Sequence, residues 1–387
     1  MNTFDLDAQY IAHTYRRFPL EIVSGKGSLV RGADGNEYID LGSGIAVNIF
    51  GLADEAWTAA VTQQLTHFSH ISNLYYAAPT ARLAQMLCER TGMRRVFFSN
   101  SGAEANECAI KVARKWAAQE KGEAYYNIIT LKNSFHGRTL GTLAATAQDC
   151  YHRDYRPLPS GFLAADVGDA EGMERLLKEN ACAAILFECV QGEGGILPIG
   201  QAFADTLRTL AQKYNVLLMA DEVQLGNGRS GALYGYMNYG LTPDVVTTAK
   251  GLGGGLPLGA TLLGTRTADV FKAGDHGSTF GGNAACCAGA LNILSRIDDA
   301  LLRGVRERSD YIRSTLEGAD GILSVSGMGL MLGLQVNRSA RDFAQTLLEH
   351  GVLVTTAKDR IRLLPALNIP MEQLKIAVQQ ILRCAAQ

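Results

Sequence analysis

The chain carries no excess of positive charge. Its 36 Lys and Arg stand against 38 Asp and Glu, a net −2, so a nucleic-acid or anionic-membrane partner, which needs a basic face, is not expected. It also lacks a long, purely apolar run. The uncharged stretches 56–81 and 277–295 are studded with Gln, His, Asn, Ser and Gly, which argues against a membrane span. The N-terminal MNTFDLDAQY is acidic and has no apolar h-region, so a cytoplasmic protein is the expectation. The 8 cysteines show no C-x-x-C spacing, and Cys108, Cys182 and Cys189 sit inside apolar segments; reduced core thiols are expected rather than a disulfide framework. The 7 histidines lack metal-ligand spacing, so no metal site is expected. A P-loop is missing too, because Gly25-Lys26 is followed by Gly27 and has no glycine at the upstream position. Gly251-Leu252-Gly253-Gly254-Gly255-Leu256 breaks the dinucleotide-binding pattern at its last position, and Pro257 stands where a helix should run.

What is present is a globular composition, 47% hydrophobic and 19% charged over 387 residues, enough for two domains and a large core. Between about residues 80 and 265, RRVFFS, YNIITL, AAILFECV, NVLLMAD, DVVTTA and GATLLG read as strands. They are continuously apolar, as strands covered on both faces should be. Amphipathic segments alternate with them. In 201–214, Phe203, Leu207, Leu210 and Tyr214 share a helical face, and 103–117 follows a capping-box pattern, Ser101 with Glu104. Strand and helix in alternation predict an α/β fold with a mostly parallel sheet flanked by helices. The ends differ. GSLVRGADGNEYIDLGSG predicts a hairpin turning at Ala33-Asp34-Gly35. After about 285 come a long helix pattern, a strand (LMLGLQV), a helix ended by Gly351, a strand (VLVTT) and a closing helix with Leu374, Val378 and Ile381 on one face. The two ends, 1–55 and 285–387, are expected to form one smaller α+β domain against a large domain spanning 56–284.

Ligands of open α/β sheets bind at the carboxyl ends of the strands, and four such ends carry unusual residues. FFSNSGAEANE opens a helix behind Ser101-Gly102-Ala103, either a plain N-cap or an anion cradle. NVLLMADEVQ delivers Asp221 and Glu222 to a strand end; such an acid is solvated or faces a positive partner, for which a protonated ring nitrogen is one candidate. VTTAKGLGGG puts Lys250 at the end of a buried strand, where desolvation disfavours the ammonium and leaves a nucleophilic amine; the alternative is a snorkelling surface lysine. LKNSFHGRTLG offers Phe135 to stack on a flat ring and Arg138 to fork onto a carboxylate, with His136 more in keeping with a hydrogen-bonded structural residue than a base. Together, an anion cradle, an acid, an aromatic, an amine and an arginine match the needs of pyridoxal phosphate.

At these residues the chain resembles the class III aminotransferases of fold type I. The likeness runs from RFPLEIVSGKGSLV through SGIAV, FFSNSGAEANE, SFHGRT, QGEGG, ADEVQLGNGRSG, TTAKGLGGGLPLGA and HGSTFGGN to IRLLPAL. It implies that Lys250 binds the cofactor aldehyde as a Schiff base and shuttles the proton, while Asp221 pairs with the ring nitrogen. Val223 would lie on the ring face opposite Phe135, with Gln224 near the ring hydroxyl. Ser101, Gly102 and Ala103 would bind the phosphate, completed by Thr279 from a neighbouring subunit, which implies a homodimer. Arg138 would take a substrate carboxylate and Tyr15 line the substrate channel. Glu193 would pair with Arg362 and release it when glutamate arrives with an α-carboxylate. The length and the RFPL, SGIAV and QGEGG segments further imply an N-acylated ornithine as amino donor, 2-oxoglutarate as acceptor and a place in arginine biosynthesis. Ornithine, succinylornithine or 4-aminobutyrate as donor is the alternative, followed by an aminomutase or decarboxylase. The chain departs from the class pattern at Leu52, Cys189, Leu225 and Ala284, with Leu52 and Leu225 expected to bear on substrate fit or subunit packing.

Overall fold

A computed structural model describes residues 2–387. Seven strands form the central sheet: β1 (Arg95–Ser99), β2 (Asn127–Leu131), β3 (Phe162–Ala165), β4 (Cys182–Phe187), β5 (Leu217–Asp221), β6 (Val245–Thr248) and β7 (Gly259–Leu263). Their spatial order is β1-β7-β6-β5-β4-β2-β3. Only β7 runs against its neighbours β6 and β1; the remaining pairs are parallel. The carboxyl ends of β1, β2, β4, β5 and β6 therefore open on the same edge of the sheet.

The continuous apolar character of these strands has its cause in the layers around them. In β5, Leu218 and Ala220 enter one core cluster while Leu217 and Met219 enter the other. Successive side chains leave opposite faces of a strand, so both faces are covered. Helix α1 (Gly102–Glu120) covers one face with Ala105, Cys108, Ala109, Val112, Ala113 and Trp116, all buried. Helix α2 (Gln201–Lys213) covers the other with Phe203, Ala204, Leu207 and Leu210. Tyr214, expected on that face, caps the helix and donates its hydroxyl to Glu174 at 2.7 Å. The six expected strands are all present. The seventh, β3, was not expected, because four residues without a β-branched side chain leave no strand pattern.

The chain ends meet. The hairpin Leu29–Gly32/Glu37–Asp40 turns through Asp34 as expected, and Val352–Leu353 joins it in parallel beside Ile39 and Asp40. A second small sheet holds β8 (Ile322–Met328), β9 (Met331–Val336), β10 (Thr355–Ala357) and β11 (Arg360–Leu363) in the order β8-β9-β11-β10. The run VLVTT, expected as one strand, is divided between these two sheets: Leu353 accepts from Leu41 N–H at 2.8 Å, whereas Thr355 pairs with Arg362. Helices α3 (Ala340–Glu349) and α4 (Met371–Ala385) pack behind, the latter burying Leu374, Val378 and Ile381. Among the described residues no helix is long and apolar enough to cross a membrane, and no group of three or more His, Cys, Asp or Glu could hold a metal.

Candidate active site

A cavity of about 490 Å³ lies on the shared carboxyl edge of the strands. Ser101, Gly102, Ala103, Phe135, Arg138, Asp221, Val223, Gln224 and Lys250, all picked out from sequence, line it.

Lys250 stands two residues beyond β6 at φ +45°, a left-handed conformation that costs a side-chain-bearing residue strain. The glycines after it make that turn possible. A Cβ on Gly251 would come within 2.5 Å of Ile49 Cδ1, and one on Gly253 within 2.0 Å of the Leu256 carbonyl oxygen. The stripped side chains thus let the lysine turn pack directly onto its surroundings. Burial pushes the Lys250 amine below its ordinary range, against the pull of the Glu193 and Asp221 carboxylates.

Asp221 ends β5 and is 6% exposed. Its Oδ2 accepts from Asn106 Nδ2 at 2.8 Å and lies 2.8 Å from His136 Nδ1, and its Oδ1 accepts from Val223 N–H at 3.0 Å. Asn106 is itself fixed: it donates to the His136 carbonyl at 2.8 Å and accepts from the Thr247 hydroxyl at 2.7 Å. His136 is therefore a support for the aspartate. Asn106 was not singled out from sequence, although an Asn on the apolar face of α1 is the kind of poor helix former that packing alone does not explain.

Ser101 caps α1, accepting from Glu104 N–H at 3.2 Å. The reciprocal half of the expected capping box closes one residue earlier, with Glu104 Oε2 accepting from Asn100 N–H at 2.6 Å. The N–H groups of Ser101, Gly102 and Ala103 consequently have no acceptor among the described residues, and the helix dipole adds to their attraction for an anion. Gly102 is required by packing, since a Cβ there would lie 2.6 Å from Val223 Cγ1.

Phe135 meets Tyr151 edge-on at 5.9 Å between centroids, and the exposed Arg138 guanidinium lies 4.1 Å from the Tyr151 centroid and 5.4 Å from that of Phe135. Behind Phe135, the buried Glu188 accepts from Phe135 N–H at 3.0 Å and from Gly192 N–H at 3.2 Å. Burial pushes this carboxyl up to about 7. Glu188 went unnoticed in AAILFECV, yet a charge directly after a buried strand is the same signal that marked Lys250.

Arg362, on β11 and 3% exposed, forms an ion pair with Glu193, which sits on the turn between Val190–Gln191 and Leu197–Pro198. Gln224 Oε1 accepts from Arg362 Nη1 at 3.1 Å, Gln224 Nε2 reaches Glu193 Oε1 at 3.4 Å, and Thr355 Oγ1 accepts from Arg362 Nε at 3.1 Å. Two expected residues are not brought here. Tyr15 is 73% exposed on the N-terminal segment and Thr279 lies exposed on the loop after β7; neither lines the cavity of the single chain. Of the departures, Leu225 is 2% exposed and packs with Cys189 against Gly235. It lies in the core and does not line the cavity.

The sequence profile described as Aminotransferase class-III matches residues 10–385. The chain belongs to the class-III aminotransferases. It is accordingly a transferase that depends on pyridoxal phosphate. Acetylornithine aminotransferase of Haemophilus ducreyi is 45% identical to this class-III aminotransferase over 375 residues, 96% of this chain and 95% of that protein. Succinylornithine transaminase of Salmonella newport is 43% identical over 376 residues, 95% of this chain and 92% of that one. The crystal structure of ornithine aminotransferase from Toxoplasma gondii ME49 superposes with a TM-score of 0.94 at 30% identity, covering 99% of this class-III chain and 94% of its own.

Proposed function

We propose that this enzyme moves the δ-amino group of N2-acetylornithine to 2-oxoglutarate, giving N-acetylglutamate 5-semialdehyde and glutamate, as a step of arginine biosynthesis. The names of full-length relatives support the donor, and the observation that carries the reading is the Glu193–Arg362 pair. A single site must take an ω-amine donor, which has only hydrogen next to the reacting carbon, and glutamate, which has a carboxylate there. A buried arginine left unpaired would be strongly destabilised. Glu193 neutralises Arg362 in the first case and yields it to the substrate carboxylate in the second.

The residues fit pyridoxal phosphate. Three free N–H groups at the start of α1 suit its phosphate, the bare Cα of Gly102 leaves Val223 at one wall with Phe135 lining another, and Asp221 stands fixed in the same cavity. When bound, the group supplies an electron sink for negative charge at the substrate carbon. Asp221, aimed by Asn106 and His136, would hold a proton on the ring nitrogen and so keep that sink deep. Lys250, disfavoured as an ammonium, would hold the aldehyde through its neutral Nζ and, once the substrate amine has displaced it, would take up and return a proton at that atom. Gln224, also lining the cavity, would stand near the ring hydroxyl, and Arg138 would orient the far carboxylate of either substrate.

The enzyme acts as a homodimer in this reading. Thr279 would complete the neighbour's phosphate site, and Tyr15 would line the substrate channel of the assembled enzyme. The segment 70–76 lies against 278–281 through Asn73, which donates to the Ser278 and Gly281 carbonyls, and exposes Leu74, Tyr75 and Phe280. The division into 1–55 with 285–387 and 56–284 belongs to the same proposal, as does a cytoplasmic setting. A panel of amino donors with 2-oxoglutarate tests the substrate: kcat/KM should be highest for N2-acetylornithine, with N2-succinylornithine the nearest rival. Free ornithine or 4-aminobutyrate ranking first would overturn the assignment.

A further inference from the structure

The proposed switch requires Arg362 to keep its aim while Glu193 is away. Its guanidinium has three side-chain partners, Glu193 and Gln224 on Nη1 and Thr355 on Nε. These partners are not equivalent. Glu193 is on a turn and leaves by hypothesis. Gln224 lines the cavity, and its amide is shared between Arg362 and Glu193, so it loses a partner when Glu193 goes. Thr355 lies directly opposite Arg362 in the β10–β11 ladder. Its β-branched side chain is stiff about χ1, and a Cβ on Gly42 would come within 3.3 Å of its Cγ2, so the methyl is packed against the bare Cα of the N-terminal segment. Backbone pairing on one side and a close glycine on the other fix where its hydroxyl stands.

We infer that Thr355 is the positioning residue that keeps the Arg362 guanidinium aimed into the cavity once Glu193 has withdrawn, and that it thereby selects for the dicarboxylic partner over the ω-amine donor. The inference rests on the reading of Arg362 given above. An anchor at Nε fixes the plane of the guanidinium and leaves its Nη edge to face a carboxylate as a fork. With the ω-amine donor bound, Glu193 still holds Arg362 and the anchor is partly redundant. With glutamate or 2-oxoglutarate bound, the redundancy is gone.

The test uses holoenzyme carrying Thr355→Val, which keeps shape and methyl but loses the hydroxyl, beside Thr355→Ser, which keeps the hydroxyl. Two quantities are read: the Kd of glutarate, an unreactive dicarboxylate, by calorimetry, and the ratio of single-turnover rate constants for glutamate and for the amino donor. Thr355→Val should weaken glutarate about tenfold and shift the ratio towards the donor by a similar factor, the loss of one hydrogen bond to a charged group. Thr355→Ser, which keeps the hydroxyl and the backbone pairing but not the methyl that fixes it, should fall between wild type and Thr355→Val on both. Equal slowing of the two half-reactions by Thr355→Val, or a serine variant that behaves like valine, overturns the inference. Arg362→Lys separates the two levels. If it leaves glutarate binding unchanged, the reading of Arg362 itself fails; if it abolishes binding while Thr355→Val does not, only the role of Thr355 fails.

Discussion

Asp221 owes its direction to Asn106 and His136, and the dependence can be measured. Asn106→Ala deletes one of three donors to the carboxylate and leaves the Thr247 hydroxyl and the His136 carbonyl without their partner in a buried place. Unmet buried groups cost about 1–3 kcal/mol. The variant should bind pyridoxal phosphate about tenfold more weakly and unfold at lower urea, the affinity loss being of the size of one charge-assisted hydrogen bond. Titration of apoenzyme by absorbance reads the first and circular dichroism the second. Unchanged affinity would mean that His136 and the Val223 N–H suffice. Lys250, Asp221 and Arg138 were legible in the sequence because each breaks a local pattern, a charge after an apolar strand or beside an aromatic. Asn106 and Thr355 were not, since neither is chemically conspicuous; their meaning lies in what stands opposite them, 115 and 7 residues away along the chain.

At the level of elements, the carboxyl ends of the strands collect groups that water would otherwise stabilise. Glu222, next after β5, accepts from the Gly235 and Tyr236 N–H groups at 2.9 and 2.8 Å and is fully buried. Burial nevertheless pushes it up to about 7 from an ordinary 4.5. Between those values the folded carboxyl still holds a proton that the unfolded chain has released. Its contribution to stability is therefore complete below pH 4.5, is lost as pH rises towards 7, and is level above. The span is worth up to about 3 kcal/mol. Glu222→Gln stays neutral throughout, so urea unfolding of the two apoproteins at pH 5 and pH 8 should show the variant gaining on wild type as pH rises; a constant difference would contradict this. Glu188, raised by the same cause, is present in both proteins and drops out of the comparison. The elements themselves were mostly readable, because strands covered on both faces are apolar without interruption. The splitting of VLVTT was not, since nothing in an unbroken run of strand-forming residues says that Leu353 and Thr355 find different partners.

Over the whole molecule, the site exists only because the chain ends return to the central sheet. Arg362 comes from the C-terminal sheet to meet Glu193 and Gln224, and Arg341 donates to the Arg16 and Arg17 carbonyls at 3.1 and 3.2 Å, tying α3 to the N-terminal segment. The α/β class followed from strand–helix alternation, and the closing of the ends from their contrast with the middle. Tyr15 and Thr279, expected at the site, lie exposed and outside the cavity of the single chain. The proposed chemistry turns on one amine. Holoenzyme reduced with borohydride, digested and mapped by mass should carry a single pyridoxyl group, on Lys250 in the peptide around TTAKGLGGG, and Lys250→Ala should carry none. A colourless protein that takes up no pyridoxal phosphate, or an adduct on any other lysine, would contradict it.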